Sequence, residues 1–240
     1  MIEAYITNLG KYNEGELKGE FLKLPATTEA VQALLSRIDV DGVMYEEVFI
    51  TDYEVSIDGL YDKLGEYENI DELNYLAALL EDMDKWDLEK FEAVLDFGEY
   101  TGSIKDLINL AQNLDCYDLY SDINDPDDLG RYVIEEMEGR EIPEWLDGYI
   151  DYDGYGRDFH LNVGGCFTDN GYVLDNGDSF IEHYSSREDL PGEYEIFAYP
   201  EPEKSIQKAI ANYKQMIDKA HINPTERPPE IMSRPAHESR

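Results

Sequence analysis

The chain has 240 residues, with 55 Asp and Glu against 19 Lys and Arg and a formal net charge of -36. A surface this negative repels nucleic acid and anionic membranes, which excludes both as direct partners. At 42% hydrophobic residues, with 19 Tyr, 8 Phe and 2 Trp, the chain is richer in aromatics than acidic disordered chains are, so its charge belongs to a folded surface.

Residues 2–8 alternate apolar and polar side chains, as a half-buried strand does. Residues 9–15 read as a loop and 16–24 as a second strand, together a hairpin. Thr27 or Thr28 can cap a helix over 29–37 with Val31, Leu34 and Leu35 inward. Residues 45–55 alternate again and predict a third strand. These elements make a small α+β module over 1–58.

The character changes over 59–113. Asn69 can cap a helix whose apolar positions are Ile70, Leu73, Leu76, Leu80 and Met83. A second helix over 85–95 places Trp86, Phe91, Val94 and Leu95 inward, and Ser103 caps a third carrying Ile104, Leu107, Ile108 and Leu110. Short polar connections make these antiparallel neighbours in a helical bundle.

Mixed structure returns over 114–184. Asp125 before Pro126 is a helix start, with Asp at the cap and Pro in the first turn. That helix runs to about Gly139 and buries Leu129, Val133 and Met137, leaving Asp127, Asp128, Glu135 and Glu138 on or near its outer face. Short strands are expected at 158–163, 166–174 and 179–184. Beyond 185 lies an extension, with an amphipathic helix over 205–221 (Ile206, Ile210, Tyr213, Ile217) and a proline-rich, disordered end over 223–240. The fold class expected is therefore α+β, with two small mixed modules flanking a central helical bundle and an extension, partly helical and then disordered, over 185–240.

Residues 201–240 are nearly neutral, so a net charge of -37 falls on the first 200 residues. Carboxylates three or four apart on a helix are neighbours about 5–6 Å apart, and duplex DNA carries one charge per roughly 1.7 Å of axis. The acidity alone fits an ordinary solvated surface, halophilic adaptation, or a surface that meets the basic groove of a DNA enzyme.

Calcium is a weaker reading. Aligning Gly154 as an EF-hand loop glycine places Asp151 and Asp153 correctly, but puts Tyr149 first and His160 twelfth, which fails the pattern. An acidic calcium-binding or ion-buffering protein stays an alternative, as does a carboxylate-pair hydrolase. Abundant carboxylates say nothing for the hydrolase without a cleft that desolvates one of them. His160, His183, His221 and His237 show no metal spacing, and no nucleophile context or phosphate-cradling loop occurs. No catalytic centre and no cofactor are expected. Cys116 and Cys166 form no disulfide framework, no leader sequence is recognisable at the N-terminus, and no apolar run reaches membrane-spanning length. A cytoplasmic protein is expected.

The opening Tyr5-Ile6-Thr7-Asn8-Leu9-Gly10-Lys11-Tyr12-Asn13-Glu14-Gly15-Glu16-Leu17-Lys18-Gly19 resembles the N-terminus of the ArdA antirestriction proteins, which conjugative elements carry. The likeness continues through Ile70-Asp71-Glu72-Leu73-Asn74. It reappears in Asp127-Asp128-Leu129-Gly130-Arg131-Tyr132-Val133-Ile134-Glu135-Glu136, which resembles the family's acidic antirestriction motif. Tyr149-Ile150-Asp151-Tyr152 with Tyr155-Gly156-Arg157-Asp158 is similar too.

The resemblance implies an elongated, dimeric, non-catalytic protein that presents a curved, DNA-like row of carboxylates and occupies Type I restriction-modification enzymes in place of DNA. The carboxylates it nominates first are Asp125, Asp127, Asp128, Glu135, Glu136 and Glu138. Asp115, Asp118 and Asp122 precede them, Asp151 and Asp153 follow, and Glu72, Glu81, Asp82 and Asp84 stand on the central helices. Arg131 and Tyr132 are expected to be structural. The segment from about 185 onward lies beyond the resemblance. It either caps the dimer contact or is an appendage.

Overall fold

Alternation in the first residues makes Ile2–Asn8 (β1) the middle strand of an antiparallel sheet, flanked by Gly19–Leu24 (β2) and Val48–Val55 (β3). Ile2, Ala4 and Ile6 point to one face, where helix Thr28–Arg37 (α2) buries Val31, Leu34 and Leu35. Thr27 caps that helix, its side chain accepting from the Ala30 N–H. The expected loop after β1 is a short helix, Leu9–Asn13 (α1), because the Asn8 side chain accepts from the Lys11 N–H and starts a turn. The computed structural model describes residues 2–201 together with 210, 211, 213 and 214.

Three helices follow: Ile70–Glu81 (α3), Lys85–Phe97 (α4) and Ile104–Ala111 (α5), capped by Asn69, Asp84 and Ser103. Trp86, expected inward, is 66% exposed. It stands in the first turn of α4, before the buried stripe begins at Phe91, and the Lys85 amine lies over its ring at 5.6 Å. A second antiparallel sheet, ordered β4-β6-β5, is built from Tyr117–Tyr120 (β4), Cys166–Thr168 (β5) and Gly171–Asp175 (β6). Asn170, in the β5–β6 turn, donates to the Glu89 carbonyl and to Glu92, tying this hairpin to α4. Between the strands lie Pro126–Tyr132 (α6), Glu144–Asp147 (α7) and Tyr152–Val163 (α8). The described residues are thus a mixed α/β fold of eight α-helices and two three-stranded antiparallel sheets.

The strand expected at 158–163 is part of helix α8. Residues 158–163 alternate polar and apolar side chains as a strand does, but Asp151 caps the segment by accepting from the Gly154 N–H, and Gly156 docks it on α6. The expected single strand over 166–174 is a hairpin of two, turning after Thr168. The helix expected to run from Pro126 to about Gly139 changes at Val133 into a π-helical turn, Val133–Met137. α-Helical periodicity does not carry through such a turn, and Met137, expected to be buried, is 54% exposed.

No strand forms at 179–184. Two buried amides, Asn109 on α5 and Asn113 just beyond its end, take the place of a neighbouring strand. Asn109 accepts from the His183 and Tyr184 N–H groups at 2.8 and 2.9 Å and donates to the Tyr184 carbonyl at 2.7 Å. Asn113, one turn on, accepts from the Ile181 N–H and donates to its carbonyl at 2.8 and 2.9 Å. Further along, the buried Asp71 carboxylate accepts from the Ile196 and Phe197 N–H groups and pairs with Arg187. Asn74 joins in by donating to the Tyr194 carbonyl. Residues 176–200 are therefore a strap across α3 and α5, and one hydrophobic core runs from Ile2 to Ile196, taking in Tyr184 and Leu190. A smaller cluster holds Ile123, Leu129, Val133 and Tyr172.

Residues 201–240 are a separate unit. Ile210, Ala211, Tyr213 and Lys214 are helical there; otherwise the helix expected over 205–221 and the disorder expected over 223–240 fall outside the described residues.

Replacing Asn109 strands the buried Tyr184 N–H and the part-buried His183 N–H, a loss of about 1–3 kcal/mol for a buried group left unsatisfied. Asn109→Ala should accordingly lower the denaturant midpoint and deprotect the amides of His183 and Tyr184 in hydrogen exchange. Unchanged protection there would mean that the strap is held by something else.

Candidate functional site

The acidic stretch that the sequence singles out begins with a helix start built from carboxylates. Asp125 accepts from the Asp128 N–H at 3.0 Å, and Asp128 accepts from the Asn124 N–H at 3.1 Å. The two side chains satisfy N–H groups at the start of α6, while the negative charge of Asp127 and Asp128 suits the positive end of the helix dipole. Leu129 and Gly130 form the buried side of this helix.

Helix α8 crosses α6 at two glycines. A Cβ on Gly130 would run into the Tyr152 carbonyl, and one on Gly156 into that of Pro126. Only hydrogen at both positions lets the backbones approach this closely. The crossing brings the ring of Tyr152 under Arg131, whose guanidinium lies 4.1 Å from its centroid. Arg131 donates to Asp147 at 2.9 Å and to Glu135 at 3.4 Å, and the Tyr152 hydroxyl donates to the same two carboxylates. Arg131 is structural, held by a local ion pair, and Tyr132 packs against Tyr120 at 5.1 Å. Burial and the bond to Asp147 push the Tyr152 phenol up to about 12. The bonds from Tyr152 and Arg131 hold Asp147 below the usual aspartate range. Glu138 is lowered likewise, by the Tyr155 hydroxyl at 2.5 Å and by Arg140.

The fifteen nominated carboxylates fall into distinct situations. Asp84, Asp125 and Asp151 are helix caps, and Asp128 accepts from the Asn124 N–H ahead of α6. Glu135, Glu138 and Asp153 are paired with Arg131, Arg140 and Arg157. Glu72 is half-buried and accepts from the strap's Tyr184 hydroxyl at 2.6 Å. Asp118 lies beside the Tyr120 hydroxyl. Asp115, Asp122, Asp127, Glu136, Glu81 and Asp82 are exposed, and their side chains make no hydrogen bond or ion pair among the described residues. The crossing of α6 and α8 gathers Asp125, Asp127, Asp128, Glu135, Asp151 and Asp153 onto one substructure, with Asp118 and Asp122 leading into it from β4. Glu72, Glu81, Asp82 and Asp84 belong to α3 and the turn into α4 instead.

Two acidic residues escape sequence reasoning. Asp147 organises Arg131 from sixteen residues away, through a loop that folds back and has no local pattern. Asp87 and Asp118 line one surface cleft together with Trp86, Lys90 and Tyr120. The spacing from the Asp84 cap to Asp87 was the available signal for that residue.

Neither alternative chemistry gains a centre. No cluster of three or more His, Cys, Asp or Glu side chains suited to a metal ion occurs among the described residues. Asp151 and Asp153 serve as cap and ion-pair partner. Among the described carboxyls, burial raises that of Glu68, but it accepts from the Gly65 N–H, and its neighbour Asp71 is fully engaged by the strap. No helix among the described residues is long and apolar enough to cross a membrane.

A family model described as "Antirestriction protein (ArdA)" matches residues 4–174. The chain belongs to the ArdA antirestriction family. The match takes in both sheets and the α6–α8 crossing and ends within β6. The strap over 176–200 lies beyond the matched residues. A search of curated proteins returns no match.

Two outcomes follow from the crossing. Gly156→Ala should cost about 1–3 kcal/mol by overpacking, read from thermal or urea melts, whereas Gly148→Ala, with open space around it, should be near neutral. A similar effect at both positions would contradict the close approach. The depressed Asp147 pKa means that its bonds contribute fully above the unfolded aspartate value and are lost as pH falls through the lower folded value. Carboxyl-detected NMR should find Asp147 titrating below ordinary aspartates, with Tyr152→Phe moving it upward. A normal titration in the unaltered chain would contradict the cluster.

Proposed function

We propose that this ArdA protein is a non-catalytic DNA mimic that competes with DNA for the binding groove of Type I restriction-modification enzymes. The observation that carries the reading is the set of exposed carboxylates around β4 and α6, led by Asp115, Asp122, Asp127 and Glu136, which have no cationic partner among the described residues. They stand on short helical turns and on the turn between β4 and α6, so the backbone that carries them is already ordered when a partner binds.

The physical logic is that of DNA binding with the roles exchanged. A DNA enzyme lines its groove with Lys and Arg, and anions condensed on those cations are released when carboxylates replace them, as cations are released from phosphates. Many exposed charges then share the binding, each contributing little. The paired carboxylates Glu135, Glu138 and Asp147 hold the frame, and the unpartnered ones supply the field. Exposed Trp145, Tyr149 and Leu161 around α7 and α8 are apolar surface that suits self-association, so a homodimer belongs to this reading. An antirestriction protein acting on intracellular DNA enzymes works in the cytoplasm.

Titrating the protein into a fluorescent duplex bound to a purified Type I methyltransferase should displace the DNA without any protein–DNA complex forming, and less effectively at higher salt. Asp127→Asn and Glu136→Gln should each weaken displacement by about two- to five-fold. Loss of all activity on changing one carboxylate would point to a catalytic or metal-binding residue instead, and no displacement at saturation would remove this target.

A further inference from the structure

The first sheet has a second face, opposite α2, and the resembling stretch from Tyr5 to Gly19 builds it. Tyr5 and Phe21 meet edge to face at 4.9 Å across β1 and β2. Gly19 makes this possible, since a Cβ there would collide with Tyr5, Thr7 and the Ile6 carbonyl. On the β3 side, Phe49 is only 7% exposed although it points away from the core helix. It is covered by Tyr12, edge-on at 5.1 Å, and by Tyr67, stacked at 6.1 Å. Tyr12 and Tyr67 are themselves 51% and 73% exposed. They stand as the walls of an open groove of about 680 Å³.

The lining of this groove holds two carboxylates, Asp52 and Glu66, and no cation. Asp52 accepts from the Tyr61 hydroxyl at 3.3 Å, which fixes it at the rim, and Glu66 is exposed. The nearest lysine in register on this face, Lys23, stands opposite Glu3 and outside the lining. Asn13 and Thr51 add neutral polar groups to the lining, and the Thr51 hydroxyl is held by that of Thr7 at 2.9 Å. Aromatic walls with carboxylates at the rim are complementary to a planar cation with an apolar stem. A guanidinium stacks on aromatic faces and gives its N–H groups to carboxylates in the same pose.

We propose that this groove is a docking site for an arginine side chain presented on a basic segment of a protein partner, the guanidinium lying between Tyr12 and Tyr67 with Asp52 and Glu66 at its edge. The site is carried by elements other than α6 and α8 and does not depend on DNA mimicry. It would add recognition of one side chain to a surface that otherwise attracts any cation.

The test separates aromatic recognition from general attraction by acidic surface. A blocked peptide, acetyl-Gly-Arg-Gly-Arg-Gly-amide, is titrated into the isotope-labelled full chain at high salt, alongside its lysine and citrulline counterparts. Shift changes should concentrate at the amides of Thr51, Asp52 and Tyr67, with the citrulline peptide silent. Tyr67→Leu and Tyr12→Leu, which alter no charge, should weaken arginine-peptide binding about five-fold, and Tyr67→Phe should retain it. Binding that ignores the leucine variants, or shifts spread evenly over the acidic surface, would overturn the proposal. So would shifts at these amides on dilution without peptide, which would assign the groove to a second copy of the chain.

Discussion

Like-charge repulsion is the constraint under which every element of this protein folds. With 55 acidic and 19 basic side chains, compaction works against the surface's own field, so the interior must be nearly charge-free and the few cations must be well placed. Both hold. Among the described residues the buried polar side chains are chiefly amides and hydroxyls, and the one buried carboxylate, Asp71, is met by two backbone N–H groups and Arg187. Nine of the twelve Lys and Arg residues between 2 and 201 hold carboxylates. Arg131 holds two of them and stacks on an aromatic ring besides. Carboxylates at the starts of α4, α6 and α8 turn part of the repulsion into helix capping. What is left over, the unpartnered carboxylates, is surface the fold does not use.

That division clarifies how the acidic face operates. The α6–α8 crossing at Gly130 and Gly156 is a geometric necessity before it is an electrostatic one, because it brings Tyr152 to the place where it can seat Arg131. Arg131 in turn fixes Glu135 and Asp147, so one cation in the acidic stretch gives it a definite shape rather than diluting its charge. The strap contributes at the other end of the chain by closing α3 and α5 with main-chain bonds to Asn109, Asn113 and Asp71.

Local chemistry was legible where it acts locally. Caps at Thr27, Asn69 and Ser103 and apolar spacing located α2 to α5 within a few residues, and Asp125 before Pro126 located the start of α6. The misreadings lie where a distant partner decides. Residues 158–163 alternate like a strand, and only the approach to α6 makes them helical. Residues 179–184 carry strand-like side chains, but their partners are two amides about seventy residues earlier. Asn109, between Ile108 and Leu110 on α5, and Asn113 just after the helix have a meaning that depends on that strap. In the acidic site, motif carboxylates could be named but not sorted, because pairing by Arg131 and Arg140 against full exposure is a tertiary property.

The central claim is that the acidic surface takes the place of DNA, and the groove of the enzyme is where it can be judged most directly. Hydrogen exchange would be followed on a Type I methyltransferase alone, with duplex DNA, and with this protein. The account predicts that the same groove-lining peptides become protected by DNA and by the protein, and that added salt weakens both protections together. Protection confined to a different surface, with DNA still bound in the ternary mixture, would contradict it.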